Sequence, residues 1–120
     1  MKILNLTQHN ATPSQKEAGL VDLEGNELEE LREIITFDSL PTFAELELAC
    51  MALAMIAHEH GFENVLIGGA CYFMPVLENH LKKCGFTPYY AYSKRNAVDK
   101  MVDGKIVTEY TFEHEGFLKV

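Results

Sequence analysis

Apolar residues recur along this chain in short strand-like runs that alternate with stretches at helical spacing, and that alternation is the main structural signal. Lys2 to Thr7 alternates around Ile3, Leu4 and Leu6 and predicts a first strand. Thr12-Pro13-Ser14-Gln15 reads as a helix start, with a threonine N-cap, a proline at the first helical position and a glutamine able to close a capping box. Gly19 stops that short helix, and Leu20 to Leu23 predicts a brief second strand before the turn at Glu24-Gly25. Leu28, Leu31 and Ile35 then form one helical stripe behind a start signal at Asn26 and Glu29.

A second capping box, Thr42-Phe43-Ala44-Glu45, opens the longest predicted helix, which runs to about His60. Leu46, Cys50, Leu53 and Ala57 make its first apolar stripe, and Leu48, Met51 and Met55 make another, displaced around the axis. Two apolar faces on one helix call for a partner besides the sheet, so a homodimer through the 42–60 helix is expected, with Met51 and Met55 near the interface. Asn64 to Ile67 predicts the central strand, Cys71 to Cys84 the next helix, and Thr87 to Tyr92 a tyrosine-rich strand. Val98 to Val102 and Lys105 to Phe112 flank Asp103-Gly104 as a β-hairpin, and Gly116 to Val120 could add an edge strand.

Strands alternating with helices imply right-handed crossovers and a mainly parallel sheet covered on both faces. The expected fold is α/β, a single Rossmann-like three-layer domain over residues 1–120, with the C-terminal hairpin added antiparallel. A chain of 120 residues with 48% hydrophobic content suits one such domain. No secretory signal is expected, and the longest apolar run falls well short of the ~18 residues a membrane span needs, so the expected setting is cytoplasmic, with no membrane partner. Three cysteines without C-x-x-C spacing favour neither a disulfide framework nor a zinc knuckle.

Net charge of −8 argues against duplex DNA, whose binding rests on many Lys and Arg. The charge is uneven, however. Residues 1–63 hold twelve acids against three bases and residues 64–120 six against seven, so an anion site should draw on the second half.

Ligands in open parallel sheets bind beyond the carboxyl ends of the strands, and three predicted strand ends carry chemistry-bearing residues. Gly68-Gly69-Ala70 passes directly from a strand pattern toward a helix, where main-chain N–H groups can approach an anion. It has neither the P-loop nor the dinucleotide spacing. Thr7-Gln8-His9-Asn10 supplies a hydroxyl, two carboxamides and an imidazole; Thr12 serves as a cap, a task that requires neither Gln8 nor His9. Ser93-Lys94-Arg95 supplies the only arginine of the second half, suited to bidentate phosphate contact; a solvated surface turn is the plainer account of such a run.

Around these residues the chain resembles a small uncharacterised family of bacterial and phage proteins with a T-Q-H-N-A-T-P segment, an I-G-G-A segment leading to M-P-V-L-E, and a Y-A-[FY]-S-x-R segment. Here these are Thr7 to Pro13, Ile67 to Ala70 with Met74 to Glu78, and Tyr90 to Arg95. The resemblance bears on architecture and site rather than on reaction. The layout is also loosely similar to CRISPR-associated Rossmann-fold sensor domains and ring nucleases, dimers that bind cyclic oligoadenylates; that similarity implies a phosphate-bearing small molecule or oligonucleotide as ligand.

The expected function is thus a dimeric binding domain for a phosphate-bearing ligand, with slow metal-independent phosphodiesterase activity as its enzymatic version. In that version His9 moves a proton, Ser93 or Gln8 orients the scissile group, and Arg95 and Lys94 stabilise phosphoryl charge beside Gly69 and Ala70. Thr7, Gln8, Asn10 and Gly68 complete the ligand contacts; neither a metal nor a cofactor is expected. The alternative is a non-enzymatic interaction or regulatory protein of phage or defence type, whose glycine turn is structural. Catalysis by Cys71 ranks last, for want of a basic neighbour in sequence.

Overall fold

The computed structural model describes residues 1–120. Its elements run β1 (Ile3–Asn5), α1 (Pro13–Glu17), β2 (Leu20–Asp22), α2 (Gly25–Ile35), α3 (Phe43–Glu59), β3 (Asn64–Leu66), α4 (Met74–Lys83), β4 (Thr87–Val102) and β5 (Lys105–Lys119). They form a mixed α/β fold around one sheet of strand order β2-β1-β3-β4-β5. β2, β1, β3 and β4 run parallel, and β5 returns antiparallel along β4.

Local chemistry accounts for the helix starts. Thr12 and Thr42 each accept a hydrogen bond from the backbone N–H three residues on, while Gln15 and Glu45 reach back to the cap N–H. α4 starts at Met74, three residues later than the pattern predicted. Residues 71–73 form a turn in which the N–H groups of Phe73 and Met74 both donate to the Ala70 carbonyl, at 3.0 and 3.3 Å. Pro75 explains the delay: it has no N–H to give and suits only the first helical turn.

Adjacent strand residues point to opposite faces, which sorts the core into two clusters. Leu4, Leu6, Val65 and Ile67 join Leu31 of α2, Cys50, Leu53 and Ala57 of α3, and Leu77 and Leu81 of α4 in the larger one. Ile3, Leu20, Leu66 and Tyr89 meet Ala11 in the smaller one, with Phe117 against it. Each fully buried Leu or Ile contributes about 1.5–3 kcal/mol, so the larger cluster carries most of the stabilisation. On α3, the first predicted stripe is buried, while Leu48, Met51 and Met55 are exposed. No helix is long and apolar enough to cross a membrane.

The C-terminal third departs furthest from expectation. The tyrosine-rich strand does not stop at Tyr92 but continues through Ser93-Lys94-Arg95 to Val102, and β5 pairs with it back to Lys119, broken only by an irregularity at Tyr92/Ser93. Asp103 (φ 51°) and Gly104 (φ 77°) supply the two left-handed residues of the tight turn, which sets the register of every pair behind it. Beyond Ser93 the two strands have no other strand beside them, so they project as an arm. The radius of gyration is 16.9 Å and the longest extent 56 Å, against roughly 14 Å for a compact chain of this length.

Candidate functional site at the ends of β1 and β3

In the strand order β2-β1-β3, the chain leaves β1 toward one side of the sheet and β3 toward the other. Connections that diverge in this way leave a crevice between the carboxyl ends of the two strands. The crevice here is a cavity of about 260 Å³, walled by Thr7, Gln8, His9 and Asn10 on one side and Gly68 and Gly69 on the other. Leu20, Leu66 and Ile67 form its apolar part, and Gln15, Tyr90 and Ala91 complete the wall.

The loop after β1 is held by a residue that the motif reading passed over. Asn5, 3% exposed, is the one buried polar residue of the core. Its Nδ2 donates to the His9 carbonyl at 2.7 Å and to Asp22 Oδ1 at 2.8 Å, while its Oδ1 accepts from the Thr7 N–H at 3.0 Å and the Thr7 hydroxyl at 2.7 Å. Both donors and both acceptor sites of the carboxamide are therefore used. Asp22, paired beside Asn5 in the β1–β2 register, also accepts from the Ala11 N–H through both oxygens, at 3.1 and 3.0 Å. Arg32 Nε reaches over from α2 to the Gln8 carbonyl at 3.3 Å. These contacts fix the backbone of residues 7–11 and leave the side chains of Gln8, His9 and Asn10 exposed at the cavity.

The turn after β3 presents main-chain donors. The N–H groups of Gly68, Gly69, Ala70, Cys71 and Tyr72 have no acceptor within the protein, and Gly68 and Gly69 line the cavity. Gly69 has φ +148°, a conformation that a side chain would strain. Consecutive open N–H groups at a turn leading to a helix make a concavity suited to negative charge. Neither Lys, Arg, Asp nor Glu lines the cavity, so its polarity comes from these backbone dipoles, the imidazole of His9, the Thr7 hydroxyl and the carboxamides of Gln8, Asn10 and Gln15.

Tyr90 closes the wall from β4. Its hydroxyl donates to Glu78 Oε2 at 2.8 Å, and burial first, then the hydrogen bond and charge of Glu78, push the phenol well above its ordinary range. It stays neutral and committed to α4.

The sequence-derived candidates divide accordingly. Thr7, Gln8, His9, Asn10, Gly68 and Gly69 meet at one cavity, and Ala70 follows in the same turn without lining it. Ser93, Lys94 and Arg95 lie in the paired hairpin, outside the lining. Ser93 is two residues beyond Ala91, and Arg95 is about 13 Å further along the strand than Ala91. The Arg95 guanidinium sits over the Tyr110 ring, 4.3 Å from its centroid, toward the tip of the arm. The expected meeting of three clusters on one rim is thus a meeting of two.

Asn5, Asp22, Gln15, Arg32 and Tyr90 are the site residues that motif reading missed or took for something else. For Asn5 a signal existed: a polar residue in the middle of Ile3-Leu4-Asn5-Leu6 sits where polar groups are buried only with partners. Elsewhere, no three or more His, Cys, Asp or Glu side chains are grouped to hold a metal ion. Cys50 is buried, and Cys71 and Cys84 are exposed. No curated protein and no solved structure matches the chain. A family model described as "Uncharacterized protein MJ1673 family" matches residues 1–118.

Proposed function

From a chain that belongs to the uncharacterised MJ1673 family, we propose a homodimeric binding protein for a small phosphate-bearing ligand, seated between the ends of β1 and β3. The observation that carries the reading is the run of unpaired N–H groups from Gly68 to Tyr72, beginning in a cavity whose opposite wall bears Gln8, His9 and Asn10. A phosphate would accept from the Gly68 and Gly69 N–H groups, and the two carboxamides and the imidazole would bond the attached ribose or base. The reading takes the layering as Rossmann-like, with α1 on one sheet face and α2, α3 and α4 on the other.

Size narrows the ligand. Small-molecule sites run from about 300 to 1,000 Å³, so a cavity near 260 Å³ suits one nucleotide or less. A cyclic oligonucleotide would need cavities from two copies. Binding rather than turnover is the reading this geometry favours, because phosphodiester cleavage as expected from the sequence needs Arg95 at the same phosphorus as His9.

Isothermal titration with adenosine monophosphate, inorganic phosphate, and cyclic and linear oligoadenylates, followed by product analysis, tests this. The nucleotide should bind; His9→Ala should weaken it about 2- to 10-fold, the cost of losing a neutral hydrogen bond, and Gly69→Val should weaken it more, because a side chain strains the turn that presents the phosphate-binding N–H groups. Absence of heat with every one of these compounds would discard the ligand class. Conversion of a cyclic oligoadenylate to linear product would instead restore the enzymatic version.

A further inference from the structure

Two apolar surfaces of this chain have no neighbour. On the arm, cross-strand partners share a face, and one face carries Ala97 with Tyr110, Met101 with Ile106, Phe112 opposite Arg95 and, between them, Asp99 accepting a hydrogen bond from the Thr108 hydroxyl at 2.8 Å. Met101, Ile106 and Phe112 are each 73% exposed and Tyr110 54%. The other face is more polar, with Lys100 bridged to Glu109 at 2.9 Å and Asn96 bonded to Glu113 at 3.2 Å, and its apolar members, Val98, Val102 and Val107, are smaller. An amphipathic two-stranded ribbon is marginal in water by itself and needs a surface beneath it. The second surface is a groove of about 430 Å³ between α3 and α4, where Met51, Ala54, Met55 and Phe86 share the lining with His58, His80 and Cys84.

We propose that the arm of one copy lays its apolar face in the α3–α4 groove of a second copy, and receives that copy's arm in its own groove. The inference rests on the homodimer in the reading above and names its clasp. One reciprocal contact then covers both exposed surfaces, and the symmetry closes at two chains.

Three observations select a second copy as occupant. Charge is the first: between Ser93 and His114, four cations balance four anions, so the −8 of the whole chain resides in the remainder. The neutral arm is the part of one copy that approaches another without repulsion. Reach is the second. Ten residues from Ser93 to Val102 extend about 33 Å, comparable to the 28 and 35 Å shorter extents of the molecule. Area is the third: with roughly 100 Å² from each of four large side chains and a matching area of groove, two such contacts bury about 1,600 Å², a standard stable interface.

Sedimentation at micromolar concentration, with circular dichroism to check folding, tests the clasp through Phe112→Glu and Ile106→Glu on the arm and Met55→Glu in the groove. The wild type should sediment as two chains and each variant as one. An equimolar mixture of Phe112→Glu with Met55→Glu should recover two-chain particles, at higher concentration than the wild type needs, since the intact arm of the second fits the intact groove of the first and one contact of the two is restored. Cys84 should alkylate slowly in the wild type and several-fold faster in Phe112→Glu. A two-chain Phe112→Glu protein overturns the clasp and leaves the dimer standing. Monomeric variants that fail to recover on mixing also overturn it, in favour of contact between like surfaces. A monomeric wild type overturns clasp and dimer together, with nucleotide binding judged separately by titration.

Discussion

Thr7-Gln8-His9-Asn10 and Ser93-Lys94-Arg95 are both polar runs after an apolar strand segment, yet one became a loop that lines a cavity and the other the shaft of an arm. The difference lies in their neighbours. β1 pairs with β2 and β3, and the pairing on both sides ends level with Asn5, so the chain must leave the sheet there. β4 has β5 to pair with, through Lys94↔Glu113, Arg95↔Phe112 and onward to the Asp103-Gly104 turn. Where a strand ends depends on where its neighbour does, because backbone groups need partners in either conformation.

Asn5→Leu is the hardest blow to the ordered side of this comparison. It keeps the branched shape but strips partners from Asp22, the Thr7 N–H and the His9 carbonyl together, so thermal melts should show a loss of about 3–4 kcal/mol and titration a loss of ligand. A stable, binding-competent Asn5→Leu protein would mean that the loop holds itself.

The body should also weaken in alkali. Burial pushes the Cys50 thiol from 9.0 up to about 11, with a backbone hydrogen bond opposing and Glu47 adding to the rise. The unfolded thiol ionises first, so the unfolded state binds fewer protons in that window, and stability falls with rising pH. The loss should run from pH 9 to 11 and reach at most about 2–3 kcal/mol. Tyr90 shifts in the same direction and extends the loss to higher pH. Melting temperature against pH checks this, and Cys50→Val should flatten the slope.

Arg95→Ala should do least. It removes the stacking on Tyr110, costing about 0.5–1 kcal/mol of arm stability, and should leave nucleotide affinity within twofold. Loss of that affinity would bring the arm back into the site and erase the contrast drawn above.

Much of the body was legible in the chain. The capping boxes at Thr12 and Thr42, the buried stripe of α3 and the glycine turn after β3 follow from local rules, since a cap or a stripe is satisfied within a few residues. The arm was half legible: Asp103-Gly104 marked the turn, but its strands were cut short at Tyr92 and Phe112. Ionic residues such as Lys94, Arg95, Glu113 and Glu115 depress strand propensity, and cross-strand pairing outweighs that only once the partner is in register. Asn5 and Asp22 could not be joined from sequence, because nothing local shows that positions 17 apart share a register.

What the amino-acid order determined by itself is the inventory: where helices begin, which side chains are apolar in rhythm, and that the turn after β3 is glycine-rich and amide-bearing. What tertiary structure alone decided is which polar groups share a cavity. Strand order and pairing length are set by contacts between distant segments, and these placed His9 across one cavity from Gly69 while carrying Arg95 away.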